Sequence, residues 1–255
     1  MFRFRELQSL RGRSLSSSDT GRTCRPLLTA VTVLGLAAAG QLAQAVPINY
    51  GNFTGNTVDY LNVTEDANSA GDAPPLFGPP TTLGATTPAD YPASLPCTAC
   101  TIPGDSLDFN PVGFEASATG AAGVDVTDGQ LTFVIMSHAG YGISEVELAE
   151  AGDTTLAGFG TDATSTSVTG FGVLNILQVD GVGITPIVVP FSPSGGTYGL
   201  ATDGGGGPVF NTQWSGFFSE DIELVLANNG IFPAVGATKI SINLDNTLTA
   251  TSEFG

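Results

Sequence analysis

Beyond residue 46 the apolar positions of the chain alternate with polar ones at a period of two, the spacing that sends successive strand side chains to opposite faces. In Gln130–Met136, Leu131, Phe133 and Ile135 share one face. In Ile143–Ala149, Val146 and Leu148 oppose Glu145 and Glu147, and in Lys239–Leu244, Ile240, Ile242 and Leu244 oppose Ser241 and Asn243. Gly172–Val179 is apolar on both sides, with Val173, Leu177 and Val179 against Leu174 and Ile176, which predicts a central strand. Ile184–Val189 contains Pro186, whose missing N–H moves that strand towards a sheet edge. Asp128-Gly129 and Asp180-Gly181 have the chemistry of turns between these runs.

One segment switches to a helical period. Ser219 is placed as an N-cap, with Glu220 and Asp221 in the first turn. Ile222, Val225 and Leu226 then recur at i, i+3 and i+4, and Asn229-Gly230 supplies the stop. The expectation is an all-β chain: about ten strands and one short helix near 220–228, in a single jelly-roll-like β-sandwich covering residues 46–255. Within it, Ala73–Gly104 holds eight of the sixteen prolines and is expected to be an irregular loop without a regular ladder.

Charge changes the picture at the N-terminus. Six of the seven bases, Arg3, Arg5, Arg11, Arg13, Arg22 and Arg25, precede an apolar run from Leu27 to Ala39, and Ala43-Gln44-Ala45 follows as a small-x-small cleavage site. This is the layout of a secretory signal, and its apolar core is too short for a spanning helix, so residues 1–45 are expected to be removed. The remainder has Lys239 as its one base against 22 acids, and no later segment is apolar for long enough to span a membrane. A chain so poor in Lys and Arg cannot neutralise phosphates, which excludes nucleic acid as a partner. The expected location is secreted or cell-surface.

The candidate chemistry is sparse. Glu65, Asp66, Asn68 and Asp72 cluster around a glycine turn and offer the oxygens from which hard-cation sites are built, so they are the candidate calcium ligands. Ala70 and Phe77 stand where an EF-hand would need ligands, so the segment is not one. Cys97 and Cys100, alone in a proline-rich loop, are expected to form a local disulfide after export. Two cysteines do not make a zinc site. His138 is the only histidine and no nucleophile elbow accompanies it, so it is expected to be a strand-end residue with a satisfied ring. Asp203-Gly-Gly-Gly-Gly-Pro208 lacks the Lys and the strand-to-helix context of a phosphate cradle and is expected to be a hairpin loop. Trp214, with Phe217 and Phe218 nearby, is the candidate sugar-stacking residue, set against a place in the core.

Several stretches resemble exported bacterial β-sandwich proteins of the kind that often carry a PEP-CTERM sorting tail. They are Tyr60-Leu-Asn-Val-Thr-Glu-Asp-Ala-Asn-Ser, Ser106-Leu-Asp-Phe-Asn-Pro-Val-Gly-Phe and Asp128-Gly-Gln-Leu-Thr-Phe. Two more are Gly142-Ile-Ser-Glu-Val-Glu-Leu-Ala-Glu-Ala-Gly-Asp-Thr-Thr-Leu and Ala237-Thr-Lys-Ile-Ser-Ile-Asn-Leu-Asp-Asn-Thr-Leu. The resemblance implies export and retention in an envelope or extracellular matrix, and it brings no active site. Two departures stand out: the proline-rich run with its Cys pair, and the ending Ser-Glu-Phe-Gly255 without a Pro-Glu-Pro motif. The chain is therefore expected to be either freely secreted or a truncated product. The leading expectation is a non-enzymatic structural or matrix-associated protein stabilised by calcium. A carbohydrate-binding module for neutral polysaccharide is second, and a carboxylate-based hydrolase of neutral glycans third.

Overall fold

Eleven strands and two short helices succeed one another in a computed structural model that describes residues 46–67, 75–83 and 105–253, apart from 110, 112, 121, 122 and 194. The expected signal segment 1–45, Asn68, Asp72, Cys97 and Cys100 lie outside the described residues. The elements are β1 (Ile48–Thr54), β2 (Val58–Ala67), β3 (Thr81–Leu83), β4 (Ser106–Asp108), β5 (Val124–Ser137), β6 (Glu145–Leu156), β7 (Ser165–Val179), β8 (Val182–Phe191) and β9 (Gly196–Gly199). They continue with α1 (Leu200–Gly204), β10 (Val209–Asp221), α2 (Ile222–Asn228) and β11 (Ala237–Thr251). All the paired strands are antiparallel.

The strands form an all-β, sandwich-like fold with unequal layers. One sheet runs β1-β2-β5-β11-β7-β8, with β9 pairing the N-terminal half of β7; facing it is the two-stranded sheet β10-β6. β11 is central, and its alternation gives it one buried face: Ile240, Ile242 and Leu244 are buried and Asn243 is exposed. β8, with Pro186, lies at the edge. On β7 it is Leu174 and Ile176 that face the core, while Val173 and Leu177 are half-buried on the other side. Phe191 of β8 stacks on Phe218 of β10, with ring centroids 4.5 Å apart, and joins the two sheets. Burying this many large side chains, at roughly 1.5–3 kcal/mol each, is the main force holding the layers together.

Four local expectations are corrected. Asp128-Gly129 is no turn: both lie within β5, paired to Thr247 and Asn246. Glycine is required there because a Cβ would meet the rings of Phe114 and Phe77 at 2.5 and 2.9 Å. Asp180-Gly181, by contrast, is the β7–β8 turn, with φ of 51° and 77° as a type I′ hairpin demands. The helix cap is Asp221, whose carboxylate accepts from Leu224 N–H at 2.9 Å, and not Ser219. Pairing with β6 keeps β10 extended as far as Asp221↔Glu145, so the helix starts where the ladder ends. Asp203 and Gly204, read as hairpin loop, close α1: Asp162 accepts from the N–H of Ala201 and Thr202, both at 2.8 Å, and Gly205 ends the helix at φ 62°. Finally, within the described part of the proline-rich segment, residues 75–83, β3 forms a three-residue ladder with β4, which lies just beyond the segment. Its Leu76 and Phe77 are buried in the core.

Candidate functional site: a cavity between the sheets

The inward positions of the sandwich are not uniform along the strands. Towards α2, β11 turns Ile240, Ile242 and Leu244 inward, and β6 turns Val146 and Leu148 inward. Continuing each series by two residues brings Asn246 and Glu150, both still buried, at 8% and 3% exposure. After them β6 presents Gly152 and Thr154, and β10 presents Trp214 opposite Gly152. Small and polar residues cannot fill the space that Ile and Leu fill at the other end. A cavity of about 380 Å³ results, lined by Phe77, Phe114, Glu150, Thr154, Trp214 and Asn246 among others. A second, of about 580 Å³, shares Ala116 and Thr166 with it and extends towards Ser252 and Glu253.

Glu150 and Asn246 form the polar end of the first cavity. Asn246 Nδ2 donates to Glu150 Oε1 at 2.7 Å. Glu150 Oε2 and Asn246 Oδ1 are buried and have no hydrogen-bond partner among the described residues. Burial raises the Glu150 carboxyl to about 7, a rise that the Asn246 hydrogen bond only partly offsets. The segment after β8 closes this end. Asn246 Oδ1 and Pro193 O lie 2.8 and 2.9 Å from where a Cβ on Gly170 would sit. Pro193 O and Glu150 Oε2 lie 2.8 and 3.6 Å from the corresponding point on Gly216. Glycine at 170 and 216 thus leaves room for three acceptor oxygens from three segments.

Trp214 lies flat against backbone. A Cβ on Gly152 or Gly195 would come within 2.6 Å of its indole, so two glycines leave room for the ring. It is half-buried and faces the cavity, while Phe218 faces the core and Phe217 is exposed on the opposite side of β10. The three aromatic residues therefore do not form one platform.

Of the four candidate calcium ligands the structure describes two, Glu65 and Asp66. Glu65 and Asp66 are consecutive in β2 and project to opposite faces. Glu65 is fully buried, and its carboxylate accepts from Tyr50 Oη–H at 2.5 Å, from Gly78 N–H at 3.2 Å and from Leu76 N–H. It ties the proline-rich segment to the sheet. Among the described residues no group of three or more His, Cys, Asp or Glu side chains could hold a metal ion. His138 Nε2 sits 3.1 Å from Asp59 Oδ1 at the end of β5, and this partner holds the Asp59 carboxyl below its ordinary range.

On the outer face of the large sheet Asp245 is raised to about 6, by burial and by its hydrogen-bonded neighbour Asp128, which also accepts from Thr247 Oγ1 at 3.0 Å. Asp245 and Asn246, adjacent in β11, thus serve opposite faces. Reading the alternation of β6 and β11 two residues further would have placed Glu150 and Asn246 inside. A polar residue in an inward series is the signal that was available. Among the described residues no helix is long and apolar enough to cross a membrane. Comparison with family models, with curated protein sequences and with solved structures gives no match.

Proposed function

We propose that this is an exported, non-enzymatic β-sandwich protein that binds a hydroxyl-rich glycan in the inter-sheet cavity. The observation that carries this reading is the meeting, in one cavity, of a half-buried indole and two buried acceptors without partners among the described residues. An indole face packs on the apolar face of a sugar ring, and orphan acceptors take its hydroxyl protons. Thr154 and Thr166 add further polar groups to the lining, and no base does. That is the composition of a site for a neutral or donor-rich ligand. Retention in an extracellular matrix, implied by the sequence resemblance, is compatible with such binding.

Binding is preferred to hydrolysis on geometry. Glycoside cleavage needs two carboxyls flanking one bond. Of the four acids on β6, Glu150 alone has the inward parity, while Glu145, Glu147 and Asp153 project to the opposite face, and Glu115, at the cavity's margin, is exposed. The test is titration calorimetry against α- and β-linked neutral oligosaccharides. Binding in the micromolar to millimolar range is expected, weakened at least tenfold in Trp214→Ala while the circular dichroism spectrum is unchanged. A folded protein that binds none of them overturns the glycan reading and leaves a purely structural role.

A further inference from the structure

The inner end of the cavity poses a question of charge that glycan binding alone does not answer. Glu150 is 3% exposed and Asn246 8%. Glu150 Oε2 and Asn246 Oδ1 have no hydrogen-bond partner among the described residues, and Pro193 O shares with Asn246 Oδ1 the space beside Gly170 and with Glu150 Oε2 the space beside Gly216. Acceptors from β6, β11 and the segment after β8 thus gather at this end, and the two side-chain oxygens have no donor among the described residues. Beyond Arg25 the one base in the chain is Lys239, which sits on β11 at odd parity with Ser241 and Asn243, on the outer face of the large sheet.

Three occupants can be weighed. A proton on Glu150 removes the charge and gives Asn246 Oδ1 a donor, but above pH 7 the carboxyl loses it and the buried charge returns. A water provides two donors and leaves the carboxylate charge uncompensated, which costs several kcal/mol in a buried setting. A compact monocation satisfies both orphan oxygens and cancels the single charge. A divalent cation would leave excess positive charge beside only one carboxylate, since the sites that hold calcium draw on several.

We propose that the inner end of the inter-sheet cavity, formed by Glu150, Asn246 and the Pro193 carbonyl, is a subsite for a compact monocation. The cation is either an inorganic sodium or potassium ion or the ammonium group of a ligand lying along Trp214. In the second form the proposal rests on the glycan reading and names the ligand as an amino sugar. In the first it stands without that reading.

The experiment has two arms, both at pH 8 and constant ionic strength. In the first, thermal unfolding is followed as sodium or potassium chloride replaces choline chloride, whose cation is too large for the subsite. A saturable rise in Tm of about 3 °C or more is expected in the wild type and is lost in Glu150→Gln. In the second, glucosamine oligomers are titrated beside their N-acetylated counterparts. Binding at least tenfold tighter for the free amine is expected, with the preference lost in Glu150→Gln and kept in Thr166→Ser. A response in the first arm alone identifies the inorganic ion, and a preference in the second identifies the amine. Equal Tm in all three salts together with equal binding of the two oligomers overturns the proposal, leaving a water or the carboxyl's own proton as occupant. Failure of every sugar with a retained sodium or potassium response removes the glycan reading and keeps the subsite. Should Glu150→Gln not fold, Asn246→Asp serves instead: a second carboxylate strengthens the cation response if the proposal holds and leaves it unchanged if it does not.

Discussion

Two glutamates face the interior of this sandwich, and nearly everything about them differs except their burial. Glu65 is fully buried on β2 and accepts from three donors, the Tyr50 hydroxyl and the N–H groups of Leu76 and Gly78. Glu150 is almost as buried on β6 and accepts from one, the Asn246 carboxamide, with its second oxygen facing a cavity. A carboxylate supplied with donors organises the chain around it, and here it anchors the proline-rich segment. A carboxylate left short of donors stores a demand that something from outside can meet. Burial alone therefore does not separate a structural acid from a functional one; the count of donors does.

The largest effect should come from the same substitution at both positions, with opposite signs. In Glu65→Gln an NH₂ replaces an oxygen that accepts from backbone or phenol, so two donors face each other in the core. A loss of about 3 kcal/mol is expected in urea unfolding. In Glu150→Gln the carboxamide keeps an acceptor for Asn246 and removes a buried charge. Stability at pH 8 should rise by about 2 kcal/mol. Two losses of equal size would erase the distinction.

Next in size is the pH dependence. The Glu150 carboxyl lies at about 7 in the folded chain against 4.5 for a free side chain. Between those values the native state holds a proton that the unfolded chain has released, so stability falls as pH rises through the window and levels off above 7. Asp245, raised from 3.8 to about 6 by burial and by Asp128, acts in the same direction. Asp59, Asp162, Asp180 and Glu253 are held low, by the His138 contact for the first and by hydrogen bonds from backbone and hydroxyl groups for the others. Their contribution is lost only as pH falls below about 4. The protein should therefore melt at a higher temperature at pH 5 than at pH 8, and Glu150→Gln should remove most of that difference. A melting temperature that climbs steadily from pH 5 to 8 would contradict the burial of Glu150 without donors.

How much of this the sequence reveals depends on whether the deciding interaction is local. The alternation of Ile240, Ile242 and Leu244 is a property of one strand and predicts its buried face directly. Asp128-Gly129 carries local turn chemistry, yet aromatic rings from residues 77 and 114 claim the glycine for the middle of a strand. Glu65 is the sharpest case. Val58 and Tyr60 face inward, and strict alternation would then turn Asn62, Thr64 and Asp66 inward and Glu65 out. Asn62 instead adopts φ 54° where the register of β2 slips against β5, and the extra residue reverses the parity, so Val63 and Glu65 point inward. Nothing in the local sequence marks that bulge. Glu150 and Asn246 were within reach, because the parity of β6 and β11 runs unbroken into them.

A smaller effect tests the donor count at Glu65. Tyr50→Phe removes one of its three donors and leaves the two backbone N–H groups in place. A loss of about 1.5 kcal/mol is expected, below that of Glu65→Gln because no donor is set against another. A loss as large as that of Glu65→Gln would mean that the phenol alone, and not the set of three, holds the carboxylate.

The smallest effect falls on the other glutamate and concerns a midpoint more than a stability. Asn246→Ala deletes the one hydrogen bond that favours the ionised form of Glu150, leaving desolvation unopposed. The carboxyl should then titrate at a higher pH than in the wild type, read from the ¹³C shift of the Glu150 carboxyl or from the upper end of the stability–pH slope. The variant also removes an orphan acceptor, so the net change in stability at pH 5 should be small, where Glu150 is protonated with or without its partner. An unchanged midpoint would show that solvent reaches Glu150 Oε1 through the cavity. In that case Glu150, like Glu65, has donors enough, and the difference between the two acids would rest on water instead of on an unmet demand.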